Sequence, residues 1–405
     1  MSQPLSVQLY QPHKNQLLIH NSIKNEPYKY YSLAIGRQFG KSLLGENQAL
    51  DWFFNIPNCK IGWVSPIYKQ CKKVFDEIDN AFAASQFVFK NKNKTDLTFT
   101  SHNNSTINFY SAERYDNIRG ETFDYLICDE FAYIDSEAWT EVLRATVLVR
   151  GKKVLFLSTP KGKNHFHRIH SLSGQNKQYK SFNMTSYDNP IINPTEIDDA
   201  RETLPDHVFR QEYLAEFVDG GSGLFTNPVT ITSAERTPRM YAGLDIGRAD
   251  DYTVLSVFNS NGEQYYIERW HQDTWAMIVN KVTQRINEFG CHTLVEVNGV
   301  GDPIFEQVKN SVNNSELISP FITTSKSKQD IIEQLVVATQ NKEVKFLDKD
   351  WLIKELDLFT YEYNPKTKGV KYSAPSGFHD DGVMASAIGY NAYKKLAVKG
   401  IYAIG

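Results

Sequence analysis

A helix able to cross a bilayer is the first thing this sequence lacks: no run approaches the ~20 consecutive apolar residues required. The opening segment, MSQPLSVQLYQPHKNQ, has none of the basic-then-apolar layout of a secretory signal. Cysteine is scarce. Cys59, Cys71, Cys128 and Cys291 stand at no paired spacing, which argues against a disulfide framework or a zinc site and fits reduced thiols in a cytoplasm. An excess of positive charge is missing as well, since 44 Lys and Arg face 47 Asp and Glu for a net charge of -3. A protein that coats DNA by charge alone should be basic, so the overall balance gives that class no support. It does not exclude DNA binding, because phosphates respond to local patches at physiological salt. Internal repeats and low-complexity tracts are absent too.

What is present is an ordinary globular composition, 41% hydrophobic and 22% charged, over 405 residues. Single cores rarely grow past roughly 250 to 300 residues, so two domains are expected. Between residues 30 and 218, short β-rich runs alternate with helix-like stretches. The strand candidates are 30–35 (YYSLAI), 60–65 (KIGWVS), 105–110 (STINFY), 124–129 (DYLICD), 153–158 (KVLFLS) and 179–184 (YKSFNM). Near-continuous apolar runs suit buried strands of a mostly parallel sheet. Helical patterns at 135–148 and 194–204 complete an α/β sandwich. The run DGGSGLFTNP (219–228) can hold neither helix nor central strand and reads as a linker. A second α/β pattern follows, with 240–247, 252–258 and 263–270 expected as an antiparallel meander because their connections are so short. A helix, the strand 292–297 and a final helix from about Asp381 to Lys395 follow. The expected domains are 1–218 and 239–405, joined by 219–238.

Residues 36–42, GRQFGKS, directly follow a strand and open a helix. That is the layout of a phosphate-binding loop, whose amides and helix N-terminus face the phosphates. Gly36 and Gly40 shape the turn, Lys41 would reach the β/γ-phosphates of ATP, and Ser42 would offer a hydroxyl to Mg²⁺. The match is imperfect, since Ile35 stands where the first glycine belongs. A plain strand-to-helix turn is the competing reading. The strand YLICDE adds Asp129 to hold Mg²⁺ and Glu130 to orient and deprotonate the attacking water. Alone, two acids at a strand end are commonplace; together with the loop, in this order, they carry more weight. Ser158 and Thr159, in LSTP, end the next strand where a hydroxyl can sense the γ-phosphate. Arg37, inside the loop, and Arg119 are both candidates for the cation that neutralises charge on the transferring phosphoryl, or are surface or DNA-facing arginines.

The second half offers Asp245 at one strand end, Glu296 at another, and Asp380 with Asp381 opening a helix. Two-metal cleavage of a phosphodiester needs carboxylates converging from separate elements, with ions roughly 3.5–4 Å apart. This order is a ribonuclease H-like arrangement, and its hard oxygen donors suit two Mg²⁺ or Mn²⁺ ions. Asp381 could equally be a helix N-cap, and Glu296 an ion-pair partner. An acid inside the apolar strand LVEV is nevertheless costly unless paired or metal-bound. Asp250 and Asp251, in the turn after the first strand, could support the ligands from behind, though the turn alone explains them. HFHRIH (165–170) brings three histidines together, but without a carboxylate or cysteine partner it reads as a solvated helix face.

In this order GRQFGKS, RGETFDYLICDE, LSTP, a Gly-rich linker, GLDIGRADDYT, LVEVNG and HDDGVMA resemble the large terminase subunits of tailed bacteriophages. The resemblance spans nearly the whole chain. It implies an N-terminal ATPase sandwich with a phosphate-binding loop and a C-terminal ribonuclease H-like nuclease. The implied partners are double-stranded DNA, a viral portal protein, a small terminase subunit and copies of the same chain in a ring, commonly pentameric, with monomers in solution. The implied setting is the host cytoplasm and, transiently, the procapsid, but not the mature virion or a membrane. By position, Lys41, Ser42, Asp129 and Glu130 resemble the ATPase residues, Ser158-Thr159-Pro160 the coupling motif, Gln16 the adenine-contacting glutamine, and Arg119 a finger offered across a subunit interface. Asp245, Glu296, Asp380 and Asp381 resemble the nuclease ligands. The competing class is a host repair or helicase-type ATPase fused to a nuclease, though a helicase usually carries two motor domains and only one phosphate loop is seen. A third is a nucleotide-gated scaffold whose acids are dispensable.

Overall fold

The structure is a computed structural model that describes residues 10–83, 88–218, 223–247, 251–271, 273–298, 301–364, 369–375 and 377–399. The chain divides into two compact units, residues 1–200 with 207–219, and residues 201–206 with 220–405. Asp250 and the first residues of the expected linker, 219–222, lie outside the described residues.

In the first unit, helix α1 (Lys14–Asn25) precedes β1 (Tyr30–Ile35), α2 (Lys41–Asn55), β2 (Lys60–Ser65) and α3 (Tyr68–Ala81). Then come β3 (Asn91–Asn93), β4 (Thr98–Thr100), β5 (Thr106–Ser111), β6 (Tyr125–Asp129), a π-helical turn Ala138–Leu143 running into α4 (Arg144–Thr146), and β7 (Lys153–Ser158). The unit ends with α5 (His165–His170), β8 (Tyr179–Met184), α6 (Pro194–Thr203) and α7 (Asp206–Glu212); the last turn of α6 clusters with the other unit. The strands form one sheet in the order β3-β4-β5-β2-β6-β7-β1-β8. Every pairing from β5 to β8 is parallel, and only the polar edge β3-β4-β5 is antiparallel.

Side chains alternate across a strand, and β1 shows why this sheet is buried on both faces. Tyr31, Leu33 and Ile35 join one core with α1, α2 and α3, while Tyr30 and Ala34 join another with Phe131, Trp139 and Phe156. Each fully buried large side chain contributes roughly 1.5–3 kcal/mol. The helix expected over 135–148 is present over 136–146, with its middle, Ala138–Leu143, wound as a π turn.

The second unit contains β9 (Val229–Ile231), β10 (Met240–Asp245), β11 (Thr253–Asn259), β12 (Gln264–Trp270), α8 (Trp275–Phe289), β13 (Cys291–Glu296) and α9 (Gly301–Ser311). It continues with β14 (Ile318–Phe321), α10 (Ser325–Gln340), β15 (Lys345–Leu347), α11 (Asp350–Leu358), the hairpin β16 (Thr360–Asn364) and β17 (Gly369–Ser373), and α12 (Asp381–Lys399). The main sheet runs β12-β11-β10-β13-β14. Its first three strands form the expected antiparallel meander, and β13 and β14 add in parallel. This is the ribonuclease H-like layout. The stretch read as a linker is partly structural: Leu224 and Phe225 are buried in this unit's core, and β9 pairs with β15.

One close approach sets the geometry of the second unit. A Cβ on Gly243 in β10 would lie 2.3 Å from the Ala385 carbonyl oxygen and 2.3 Å from the Gly389 amide in α12. Only glycine lets strand and helix touch there. Ala385 and Gly389 share a helix face with Asp381, four residues earlier. Asp245, two residues beyond Gly243, points to the same sheet face, so strand end and helix start meet.

Two candidate active sites

In the first unit, β1 runs directly into the loop 36–42. A side chain at Gly36 would sit 2.5 Å from the Tyr213 carbonyl oxygen, and Gly40, the N-cap of α2, has φ +92°. Four side chains hold the loop's carbonyls. Ser186 Oγ donates to Arg37 O (2.7 Å), Asn189 Nδ2 to Gln38 O (2.7 Å), His13 Nε2 to Phe39 O (3.2 Å) and Gln16 Nε2 to Gly40 O (3.3 Å). Among the described residues, no backbone carbonyl takes up the amides of 38–43. Free amides at a helix N-terminus attract an anion. They border a cavity of about 610 Å³, lined on the loop side by Lys41 and Ser42 and elsewhere by Glu130, Tyr133, Thr159 and Glu212.

Lys41 Nζ donates to Glu130 Oε1 at 2.6 Å. Glu130 itself adopts a left-handed backbone, φ +50°, the kind of local strain found at functional sites. Asp129 is buried, and its Oδ1 has no hydrogen-bond partner among the described residues. Burial raises its carboxyl to about 7, against the pull of Lys41 and with the push of Glu130. An orphaned buried carboxylate oxygen is costly, and a divalent cation shared with the Ser42 hydroxyl would remove that cost. The donor set fits Mg²⁺.

Not every expected residue lies at this cavity. Gln16 is buried with both ends of its amide engaged, one on Gly40 O and the other accepting from the His13 amide, so it braces the loop and does not line the cavity. Ser158 is fully buried, donates to Thr159 O and accepts from the Ala132 amide; of the pair, only Thr159 lines the cavity. Arg37 lines it while paired with Glu212 at 2.7 Å. Arg119 does not: it sits on the surface, paired with Asp116 at 2.7 Å and Glu141 at 3.5 Å. The histidines of α5 are not a solvated face. His165 bonds Phe131 O and His170 bonds Ser32 Oγ, and burial lowers both, His170 to about 4.

The second site forms where β10, β13 and α12 meet. Leu244 pairs with Val295, which sets Asp245 and Glu296 at the same level of adjacent strands. Burial holds the Asp245 carboxyl well above the usual range, reinforced by a hydrogen bond to Glu296 and the charges of Asp381 and Asp380. Two carboxylates can hydrogen-bond only by sharing a proton, and a divalent cation could take that proton's place. Asp381 Oδ2 accepts from the Tyr252 amide at 3.1 Å, and burial raises its carboxyl to about 6. Asp380 reaches Lys328 at 3.4 Å. Asp245 and Glu296 are therefore neighbours, the charges of Asp381 and Asp380 reach Asp245, and the all-oxygen chemistry of these acids suits Mg²⁺ or Mn²⁺.

Sequence reasoning gave Asp251 at most a supporting place behind the ligands and gave His379 no site role. Asp251, His379 and Asp381 each bring a ligand atom within 4.8 Å of the others'. His379 stands beside the acid pair in FHDDG, which was a usable signal; Asp251 offered none beyond its turn. Glu355 was also missed. It accepts from the Gly382 amide at 2.8 Å, capping the start of α12, and burial raises it to about 7.

Comparison with known proteins agrees with this geometry. The family described as "Terminase large subunit, T4likevirus-type, N-terminal" matches residues 33–229. A large terminase subunit from Thermus virus P23-45 is 27% identical over 438 aligned residues, covering 95% of this chain and 88% of the relative. That of Escherichia phage T5 is 25% identical over 64% of this chain and 63% of its own length. Among solved structures, the large terminase of a thermophilic bacteriophage superposes with a TM-score of 0.52 at 14% identity, over 95% of this chain and all of that one. The last likeness concerns the fold alone.

Proposed function

Since the chain belongs to the large terminase subunits of tailed phages, we propose that its first unit hydrolyses ATP to drive double-stranded DNA into a procapsid, and its second cuts concatemeric genome DNA with two divalent cations. The buried Asp245 beside Glu296, under the charges of Asp381 and Asp380, supports this reading, because such a carboxyl pair is stable only with a proton or cation between its acids.

At the first site, Lys41 would exchange Glu130 for the β/γ-phosphates, with the loop amides and the start of α2 beside it. Glu130, released, would take the proton of the attacking water. Ser42 and Asp129 would hold Mg²⁺, which when bound neutralises charge developing on the phosphates. Arg37 is positioned to act within the chain, and Arg119 from a neighbouring copy. At the second site, Asp245, Glu296, Asp381 and Asp380 would hold the cations, which when bound supply Lewis acidity and a more acidic water. His379, 3.6 Å from Asp381, would orient that acid. Family likeness supports the remaining features: a ring of copies, commonly five, contact with a portal protein and a small terminase subunit, and work in the host cytoplasm on the procapsid.

Two substitutions test the reading together. Asp245→Ala should lower plasmid cleavage in Mn²⁺ by at least about 10²-fold while ATP hydrolysis persists; Lys41→Ala should do the reverse. Cleavage that survives Asp245→Ala would sink the nuclease half.

A further inference from the structure

Helix α3 contributes two side chains to the nucleotide cavity that the roles above leave unused. Gln70, in its first turn, and Lys73, one turn later, both line the cavity. The side-chain carbonyl oxygen of Gln70, Oε1, is buried and accepts no hydrogen bond among the described residues. The helix holds it firmly: the Gln70 backbone amide donates to Ile67 O at 3.1 Å, and neighbouring Cys71 Sγ to Tyr110 O at 3.0 Å. Among the described residues Lys73 has only a loose pairing with Glu77 at 3.7 Å, with its side chain 74% exposed.

Position shows which end of the cavity this is. Gln70 and Lys73 border the same cavity as Lys41, Ser42 and Glu130. Lys73 therefore stands near Glu130 and the phosphate-binding lysine. Chemistry then limits what Gln70 can hold. An amide carbonyl only accepts hydrogen bonds, and phosphate oxygens at neutral pH have almost none to give. Its partner beside a triphosphate's terminal group is a donor, and the attacking water is a donor that the roles above leave without a second acceptor.

We propose that Gln70 is a catalytic residue of the ATPase site that orients the attacking water through Oε1, with Lys73 beside it as a second cation for the terminal phosphoryl group. This rests on the ATPase reading above. In the step, the water oxygen forms a bond to the γ-phosphorus while the bond from that phosphorus to the β–γ bridging oxygen breaks, its electron pair leaving with ADP. One water proton passes to Glu130. The other stays on the oxygen, hydrogen-bonded to Gln70, which neither gains nor loses a proton. Two acceptors, Glu130 and Gln70, thereby fix both hydrogens of the water and aim its lone pair.

The test compares the unmutated chain with Gln70→Ala in three measurements: the kcat of Mg²⁺-dependent ATP hydrolysis, the affinity for Mg²⁺-ADP, and the affinity for Mg²⁺-ADP with aluminium fluoride, which mimics the transferring phosphoryl and its water. Gln70→Ala should lower kcat by about 10²-fold, weaken the aluminium fluoride complex in parallel, leave ADP affinity within about twofold, and keep the thermal midpoint. Lys73→Met should weaken the aluminium fluoride complex more than it weakens ADP binding. Unchanged kcat in Gln70→Ala overturns the proposal while the ATPase reading stands. So does an equal loss of affinity for ADP, which would make Gln70 a ground-state contact. An unmutated chain that neither binds ADP nor hydrolyses ATP would overturn the ATPase reading, and this proposal with it.

Discussion

The two clusters of acids solve the same electrostatic problem in opposite ways. In the first unit Glu130 has a built-in counter-charge, Lys41 at 2.6 Å, and only one buried oxygen of Asp129 is left without a partner among the described residues. In the second, Asp245 and Glu296 face each other, and among the described residues neither forms an ion pair. The nearby cations meet other acids, Lys328 the site's Asp380 at 3.4 Å and Arg269 Glu355 at 3.7 Å. A site that carries its own lysine rests close to neutral and waits for a ligand that brings both anion and cation. A buried carboxyl pair such as Asp245 and Glu296, without a counter-charge of its own, stays strained until a proton or metal ion arrives. Stability should therefore respond to metal at the second site and to nucleotide at the first.

The largest effect expected from this contrast is on metal-dependent stability. The Asp245 carboxyl is raised by burial from an ordinary value of 3.8. Above that value the folded chain holds a proton that the unfolded chain has released, so stability without metal falls as pH rises toward the folded pKa. Mn²⁺ replaces the proton, and its binding tightens with pH. At a hundredfold excess over its dissociation constant, a cation should stabilise the chain by about 2.7 kcal/mol. Thermal unfolding with and without Mn²⁺ at pH 6, 7 and 8 should show the increment growing with pH and vanishing in Asp245→Asn. A nucleotide-free chain whose unfolding ignores Mn²⁺ at every pH would break the contrast.

A smaller effect separates bracing from recognition at the first site. Gln16 holds the Gly40 carbonyl, so Gln16→Ala should loosen the amide cradle. Losing a buried hydrogen bond of this kind is worth about 1 kcal/mol, or a roughly fivefold loss of affinity for ATP and GTP alike. Fluorescence titration with both nucleotides decides it: a selective loss of ATP binding would return Gln16 to the adenine-contacting role read from the sequence.

Much of the fold was legible because burial writes itself into apolar runs. The strands at 30–35, 60–65 and 153–158 are where the hydrophobic pattern put them, since each is buried inside a parallel sheet covered on both faces, and 179–184 forms its half-exposed edge. Edge strands β3 and β4, with sequences NKN and TFT, are short and half-solvated, and their pairing leaves no such trace. The chemical residues that could be read lie at strand ends or helix starts next to glycine or in apolar runs: Lys41, Ser42, Asp129, Glu130, Asp245, Glu296, Asp380 and Asp381. Those that could not, Gln70, Lys73, Glu212, Asp251 and Glu355, reach their sites only through tertiary packing. Ser158 shows the reverse error. A hydroxyl at a strand's carboxyl end looks like a ligand, yet alternation turned it toward the Ala132 amide and left Thr159 at the cavity.

Arg119 gives the smallest effect within one chain and the sharpest view of what one chain lacks. Its guanidinium is exposed and satisfied by Asp116 and Glu141, and exposed ion pairs contribute little. Arg119→Ala should therefore leave the thermal midpoint and the ADP affinity of dilute protein unchanged. If copies assemble so that this surface meets a neighbour's cavity, ATP turnover per chain should rise with protein concentration, and Arg119→Ala should remove that rise. Arg37 offers the control, because it already lines the chain's own cavity beside Glu212. Arg37→Ala should lower turnover equally in dilute and concentrated protein. A concentration-dependent rise that survives Arg119→Ala and disappears in Arg37→Ala would exchange the two roles, making Arg37 the residue that acts between chains.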